Sequence, residues 1–107
     1  MLQMTVHELQ ARLAEQSAER PHLLDVRESW EWQLARIDGS QHLPMNEIPG
    51  EVENLERTQP MVVICHHGVR SLQVIAFLQR AGFDNLHNLK GGIDAWAREI
   101  DPKIPIY

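Results

Sequence analysis

The sequence predicts one α/β domain over residues 1–107, built on a parallel sheet of about five short strands with helices on both faces. Three observations predict it. Short apolar runs alternate with segments of helical periodicity along the whole chain. The run Met61-Val62-Val63-Ile64-Cys65 is continuous and rich in β-branched residues, as a strand buried on both faces must be. The length of 107 residues fits one domain.

Each element has its own signal. Thr5 and Glu8 form a capping-box pair, and Val6, Leu9 and Leu13 follow at helical spacing, so a helix runs over about 6–16. Residues 17–21 are polar and end in Pro21, which reads as a loop. His22 to Val26 is a short apolar strand, and Glu28 to Ala35 a short helix with Trp30 and Leu34 on one face. An Asp38-Gly39 turn leads to an extended piece over residues 41–43. Asn46 is placed to cap a helix over about 47–57, with Pro49 in its first turn. Ser71 to Ala81 is apolar on most faces and reads as a well-buried helix, with Gly82 as its C′ residue. Leu86 to Leu89 is a strand, Ile93 to Ile100 a helix, and Asp101 to Tyr107 an irregular tail.

Composition narrows the function. The net charge of −5 comes from 15 acidic and 10 basic residues. That balance argues against binding nucleic acid or an anionic membrane, both of which need a basic field. The single cysteine excludes an intrachain disulfide and suits a reducing compartment. No apolar run approaches the ~18–20 residues of a membrane span. Residues 1–5 lack the basic and apolar regions of a signal peptide, so the expected location is cytoplasmic.

Chemistry concentrates in Cys65-His66-His67-Gly68-Val69-Arg70. A strand ends at Cys65 and a helix starts near Ser71. The residues between them therefore lie over a helix N-terminus, where exposed N–H groups and the helix dipole favour an anion. Gly68 permits a tight turn, and Arg70 can offer two parallel N–H donors to an oxyanion. The same setting favours the thiolate, the nucleophilic form of cysteine. A lone cysteine at a strand end can also be a small buried hydrophobe. The order strand, Cys, Gly, Arg, helix favours reactivity instead. His66 and His67 are either polar residues on an exposed loop or added positive charge around an anion. Two adjacent histidines and a cysteine on a tight loop are not a usual ligand spacing, so no metal is expected.

The stretch Cys65 to Ser71 resembles the C-x-x-G-x-R-S loop of the rhodanese family. Asp25-Val26-Arg27-Glu28, with Trp30 and Glu31 after it, is similar to that family's D-V-R-E segment. Gly91-Gly92-Ile93-Asp94-Ala95-Trp96 is similar to its G-G-x-x-x-W segment. The three lie in the family's order. One segment departs: Arg36 and Asp38 stand where the family has histidine and proline.

The resemblance implies a rhodanese-like three-layer fold and a thiosulfate sulfurtransferase. Cys65 would attack the sulfane sulfur of thiosulfate and carry it as a persulfide. A thiophilic acceptor, cyanide or a thiol, would then collect it. His66, His67, Gly68, Val69 and Arg70 would bind the substrate, and no cofactor is required. Asp25 and Arg27 would orient the loop or form a structural ion pair. Ser71 would cap the helix, and Trp96 would pack in the core. Two other readings stand beside this one. Cys-based phosphatases and arsenate reductases also hold an oxyanion, but the phosphatase spacing is C-x5-R and this chain has C-x4-R. A non-enzymatic role is the other: a regulatory binding module, or a sulfur relay that keeps the Cys65 chemistry and passes the sulfur to a protein acceptor.

Overall fold

The computed structural model describes residues 2–15 and 20–107. Among the described residues five strands form one sheet: β1 (Leu2–Met4), β2 (His22–Asp25), β3 (Gln41–His42), β4 (Met61–Ile64) and β5 (Leu86–Leu89). Their spatial order is β1-β5-β4-β2-β3, and every pairing is parallel. From β2 the chain moves outward to β3, then returns to the other side of β2 as β4. The strand order thus reverses between β2 and β4, and the carboxyl end of such a switch is where α/β sheets bind ligands.

The α-helices among the described residues are α1 (Val6–Ala14), α2 (Ser29–Leu34), α3 (Ile48–Glu51), α4 (Arg70–Arg80) and α5 (Gly92–Glu99). The alternation of β4 explains the three layers, because successive side chains point to opposite faces. Met61, Val63 and Cys65 join Val74, Ile75 and Leu78 of α4 in one core. Val62 and Ile64 join Val6 and Leu9 of α1 and Ile93 and Trp96 of α5 in the other. All four residues of β4 have no measurable exposure. Trp96 packs in the core, as read.

Some expectations needed correction. The edge strand β1 carried no strand signal: three residues with two of them exposed show no alternation to read. The single helix over 47–57 is instead a 3₁₀ turn (Met45–Glu47), the four-residue α3 and a second 3₁₀ turn (Val52–Asn54). Asn46 lies inside the first turn rather than capping a helix. The cause is Pro49-Gly50, which places a missing N–H beside a residue of high backbone entropy. Helix α2 does not bury Trp30 or Leu34, which are 58% and 43% exposed; it buries Glu31. Helix α4 leaves Leu72 and Phe77 on an open side. Residues 16–19, which include the predicted end of the first helix and most of the loop after it, lie outside the described residues. The Thr5–Glu8 capping box forms as read.

Asp25 and Arg27 form a fully buried ion pair at the end of β2, with Arg27 Nη2 2.7 Å from Asp25 Oδ2. Arg27 Nε also donates to Asp25 Oδ1 at 2.9 Å. Removing one partner strands the other charge. We expect Asp25→Ala to lower stability by about 3–5 kcal/mol in urea unfolding. A loss below about 1 kcal/mol, usual for an exposed pair, would contradict this account.

Candidate active site

Strand β4 delivers Cys65 to the carboxyl end of the sheet, and α4 begins five residues later. What shapes the loop between them is the start of α5. Ile93 N–H donates to the Cys65 carbonyl at 2.9 Å, and Asp94 N–H to the His66 carbonyl at 3.0 Å. In a planar trans peptide, N–H and C=O point in opposite directions. No peptide bond here is cis. Turning the carbonyls of residues 65 and 66 toward α5 therefore turns the amides of His66 and His67 away from it. Gly68 N–H donates to Cys65 Sγ at 3.0 Å. No side chain caps α4. The loop thus directs backbone donors at and around a buried sulfur; Cys65 is 1% exposed.

A second group reaches the sulfur from α4. Ser71 Oγ lies 3.3 Å from Cys65 Sγ and donates to Asn88 Oδ1 on β5. A hydroxyl has one proton. With that proton on Asn88, Ser71 presents a lone pair to Cys65, and a protonated Cys65 is the donor in the contact. Asn88 is itself held, its Nδ2 donating to Gln3 Oε1 at 2.9 Å and to the Gly68 carbonyl at 3.4 Å. The expected helix cap at Ser71 is therefore replaced by a buried link from the sulfur to β5. Asn88 carried no signal in the sequence, because its partner Ser71 is 17 residues away.

Arg70 was read as an oxyanion donor. Its two terminal nitrogens instead fork onto Glu31 of α2, at 2.6 and 2.7 Å. Tyr107 O–H donates to Glu31 Oε2 at 2.7 Å. Burial works against the Glu31 charge, yet the hydrogen bonds from Arg70 and Tyr107 bring its carboxyl down to about 2. The bond to Glu31 in turn holds the Arg70 pKa above its usual value. Arg27 Nη1 donates to the Tyr107 hydroxyl at 2.8 Å. Asp25 and Arg27 thus reach the loop only through Tyr107 and Glu31. Glu31 sat in view beside Trp30, and its burial in a helix with exposed apolar neighbours is what marks it.

The two loop histidines differ. His67 is exposed, as one reading had it. His66 is half-buried, stacked on Tyr107 at 3.9 Å with 3° between the rings. Burial, then the neighbouring His67, lowers its pKa, so it stays neutral rather than adding positive charge. Among the described residues, His66, His67 and Asp94 bring possible ligand atoms within 4.8 Å of one another. The two rings face each other at 3.9 Å with a 32° tilt, so their in-plane lone pairs do not converge on one point. The Asp94 carboxylate is paired with Arg98.

A cleft of about 180 Å³ opens beside the loop, lined by Val26, Glu28, Pro44, Met45, Asn46 and Arg70. A more apolar groove between α3 and α4 contains no loop residue. Arg36 and Asp38 line a cleft with Leu13 and Trp96, again without a loop residue. The departure from the family pattern therefore lies in a cleft separate from the loop.

Gly92 makes the α5 contact possible. Its φ is +61°, and a Cβ there would collide with the carbonyls of Cys65 and His66. A positive φ alone costs a non-glycine residue about 1–3 kcal/mol. We expect Gly92→Ala to lose at least about 2 kcal/mol in urea unfolding, since backbone on both sides must move. A variant within about 0.5 kcal/mol of wild type would show that α5 does not hold the loop.

Comparison with known proteins agrees with this geometry. The profile of the rhodanese-like domain matches residues 5–99. The chain is 32% identical over 97 residues to the thiosulfate sulfurtransferase GlpE of Vibrio cholerae, covering 91% of this chain and 89% of that one. It is 33% identical over 95 residues to the adenylyltransferase and sulfurtransferase MOCS3-1 of Zea mays, covering 81% of this chain. It spans only 20–22% of the length of such longer relatives. The crystal structure of a rhodanese-related protein from Thermoplasma volcanium superposes with a TM-score of 0.82 at 30% identity, over 94% of each chain. The chain belongs to the rhodanese-like domain family.

Proposed function

We propose that this domain moves a sulfane sulfur from thiosulfate to a thiophilic acceptor through a persulfide on Cys65, residues 1–107 sufficing as one domain. The observation that carries the reading is the Cys65 sulfur at the base of a six-residue loop, receiving the Gly68 N–H at 3.0 Å. The Cys65 thiolate attacks the outer sulfur of thiosulfate. The sulfur–sulfur bond of the donor breaks, and sulfite leaves with the bonding pair. Cys65 then carries a terminal sulfur with one negative charge. The loop amides stabilise that charge and the sulfonate oxygens before it. Cyanide or a thiolate attacks the terminal sulfur in the second half, and Cys65 leaves as thiolate. Two half-reactions on one nucleophile give ping-pong kinetics.

In this reading the donors are backbone amides of residues 66–70, and Arg70 holds the loop through Glu31. Ser71 ties the start of α4 to β5 through Asn88; Asp25 and Arg27 support the network from β2. A sulfur this buried favours a small donor such as thiosulfate. No helix among the described residues is long and apolar enough to cross a membrane. A lone thiol suits a reducing compartment, for which we propose the cytoplasm. A shorter loop than the C-x5-R cradle suits sulfur better than a phosphate.

Val69, at 65% exposure, and Leu72, at 37%, give the loop surroundings an apolar patch. That observation favours a second reading for the acceptor, in which a protein thiol collects the sulfur. Comparing turnover with cyanide or small thiols against transfer to protein thiols separates the two. For the first half-reaction, thiosulfate should add about 32 Da to the intact protein by mass spectrometry. Cys65→Ala should gain nothing. Absence of the adduct on wild type would overturn thiosulfate as donor.

A further inference from the structure

We propose that Tyr107, which lies outside the segment matched by the family profile, is a positioning residue that clamps both ends of the catalytic loop. Its ring lies flat on His66, the second loop residue, with centroids 3.9 Å apart. Its hydroxyl donates to Glu31 Oε2, the oxygen that also accepts from Arg70 Nη2, the last loop residue. One side chain therefore touches the start of the loop directly and its end through one carboxylate.

The direction of each hydrogen bond is fixed. Arg27 has only donors, so its Nη1 must donate to the Tyr107 oxygen. The Tyr107 proton then goes to Glu31. Glu31 takes that proton donor and both Arg70 nitrogens, and no alternative arrangement satisfies all three groups. Trp30 packs edge-on against the Tyr107 ring at 5.7 Å and limits its swing. The ring also covers His66, whose Nε2 is buried without a hydrogen-bond partner. Losing the ring would open that face of the loop to water. Losing only the hydroxyl would leave the stack intact and remove one of the two donors on Glu31 Oε2. The two contacts can therefore be separated by substitution.

The test compares Tyr107→Ala, Tyr107→Phe and the exposed control Ile106→Ala with wild type. Amide hydrogen exchange is followed at Gly68 in the loop and at Val63 in β4. In Tyr107→Ala, exchange at Gly68 should speed up about tenfold while Val63 barely changes, the signature of local opening. NMR titration of His66 should show its pKa rising toward the ordinary imidazole value, since the ring loses its cover. His67 on the loop, Glu31 on α2 and Asp94 on α5 also face His66 and all remain, as does the main chain of residue 107, whose hydrogen bond to the ring raises the pKa. Tyr107→Phe should leave the His66 titration as in wild type. The rate of sulfur loading from thiosulfate should fall about tenfold in Tyr107→Ala and less in Tyr107→Phe, because small misplacements of a reacting group are costly. Ile106→Ala should match wild type throughout.

Unchanged Gly68 exchange and His66 titration in Tyr107→Ala would overturn the clamp. So would exchange at Val63 rising in step with Gly68, which would make Tyr107 a contributor to global stability alone. Only the rate measurement rests on the sulfur-transfer reading. Should wild type load no sulfur, that reading fails, while exchange and titration still decide the role of Tyr107.

Discussion

The hydrogen bonds from Ile93 and Asp94 to the carbonyls of Cys65 and His66 set the geometry on which the rest of the site depends. They use the amides at the start of one helix to turn the backbone of a loop that leads into another. An isolated strand-loop-helix would leave those carbonyls to water and the loop amides free to rotate. Bound to α5, the peptide units are fixed with N–H on the far side, and the charge they stabilise needs no rearrangement when it forms. Gly92 is the condition for this contact, because any side chain there would push the two backbones apart.

A second constraint fixes the same loop from outside. Asp25, Arg27, Tyr107, Glu31 and Arg70 form a continuous chain of hydrogen bonds from the end of β2 to the start of α4. Its formal charges cancel, two carboxylates against two guanidiniums. Buried ion pairs add little net stability over well-packed apolar residues, but they tolerate few alternative arrangements. That intolerance holds the loop in one arrangement beside Cys65. It also explains why α2 turns Trp30 outward and Glu31 inward, against its hydrophobic pattern.

The sequence made the core of this arrangement legible because its signals are local. Met61 to Cys65 reads as a strand from composition, Ser71 to Ala81 as a helix from periodicity, and the loop follows from their junction. The resemblance added Asp25, Arg27 and the two glycines at the start of α5. Glu31, Asn88 and Tyr107 stayed hidden because their roles are set by partners far along the chain. Glu31 meets Arg70 across 39 positions and Tyr107 across 76. A tail with two prolines and no periodicity gives no hint that its tyrosine returns to the loop. The misread helix over 47–57 failed for a local reason, since Asn46 as a cap and Pro49 in a first turn suggested a long helix where the chain makes short turns.

The relatives fix the family, and the proposed sulfur transfer rests on anion binding around Cys65. The most direct measurement compares the alkylation rates of Cys65 with iodoacetate and with iodoacetamide, reagents of similar size that differ in charge. An acidic protein of net charge −5 should repel the anion. If the loop amides form an anion site, the iodoacetate-to-iodoacetamide ratio should exceed that of a small free thiol, by about tenfold for a site with several aligned donors. A ratio equal to or below that of the free thiol would contradict the account.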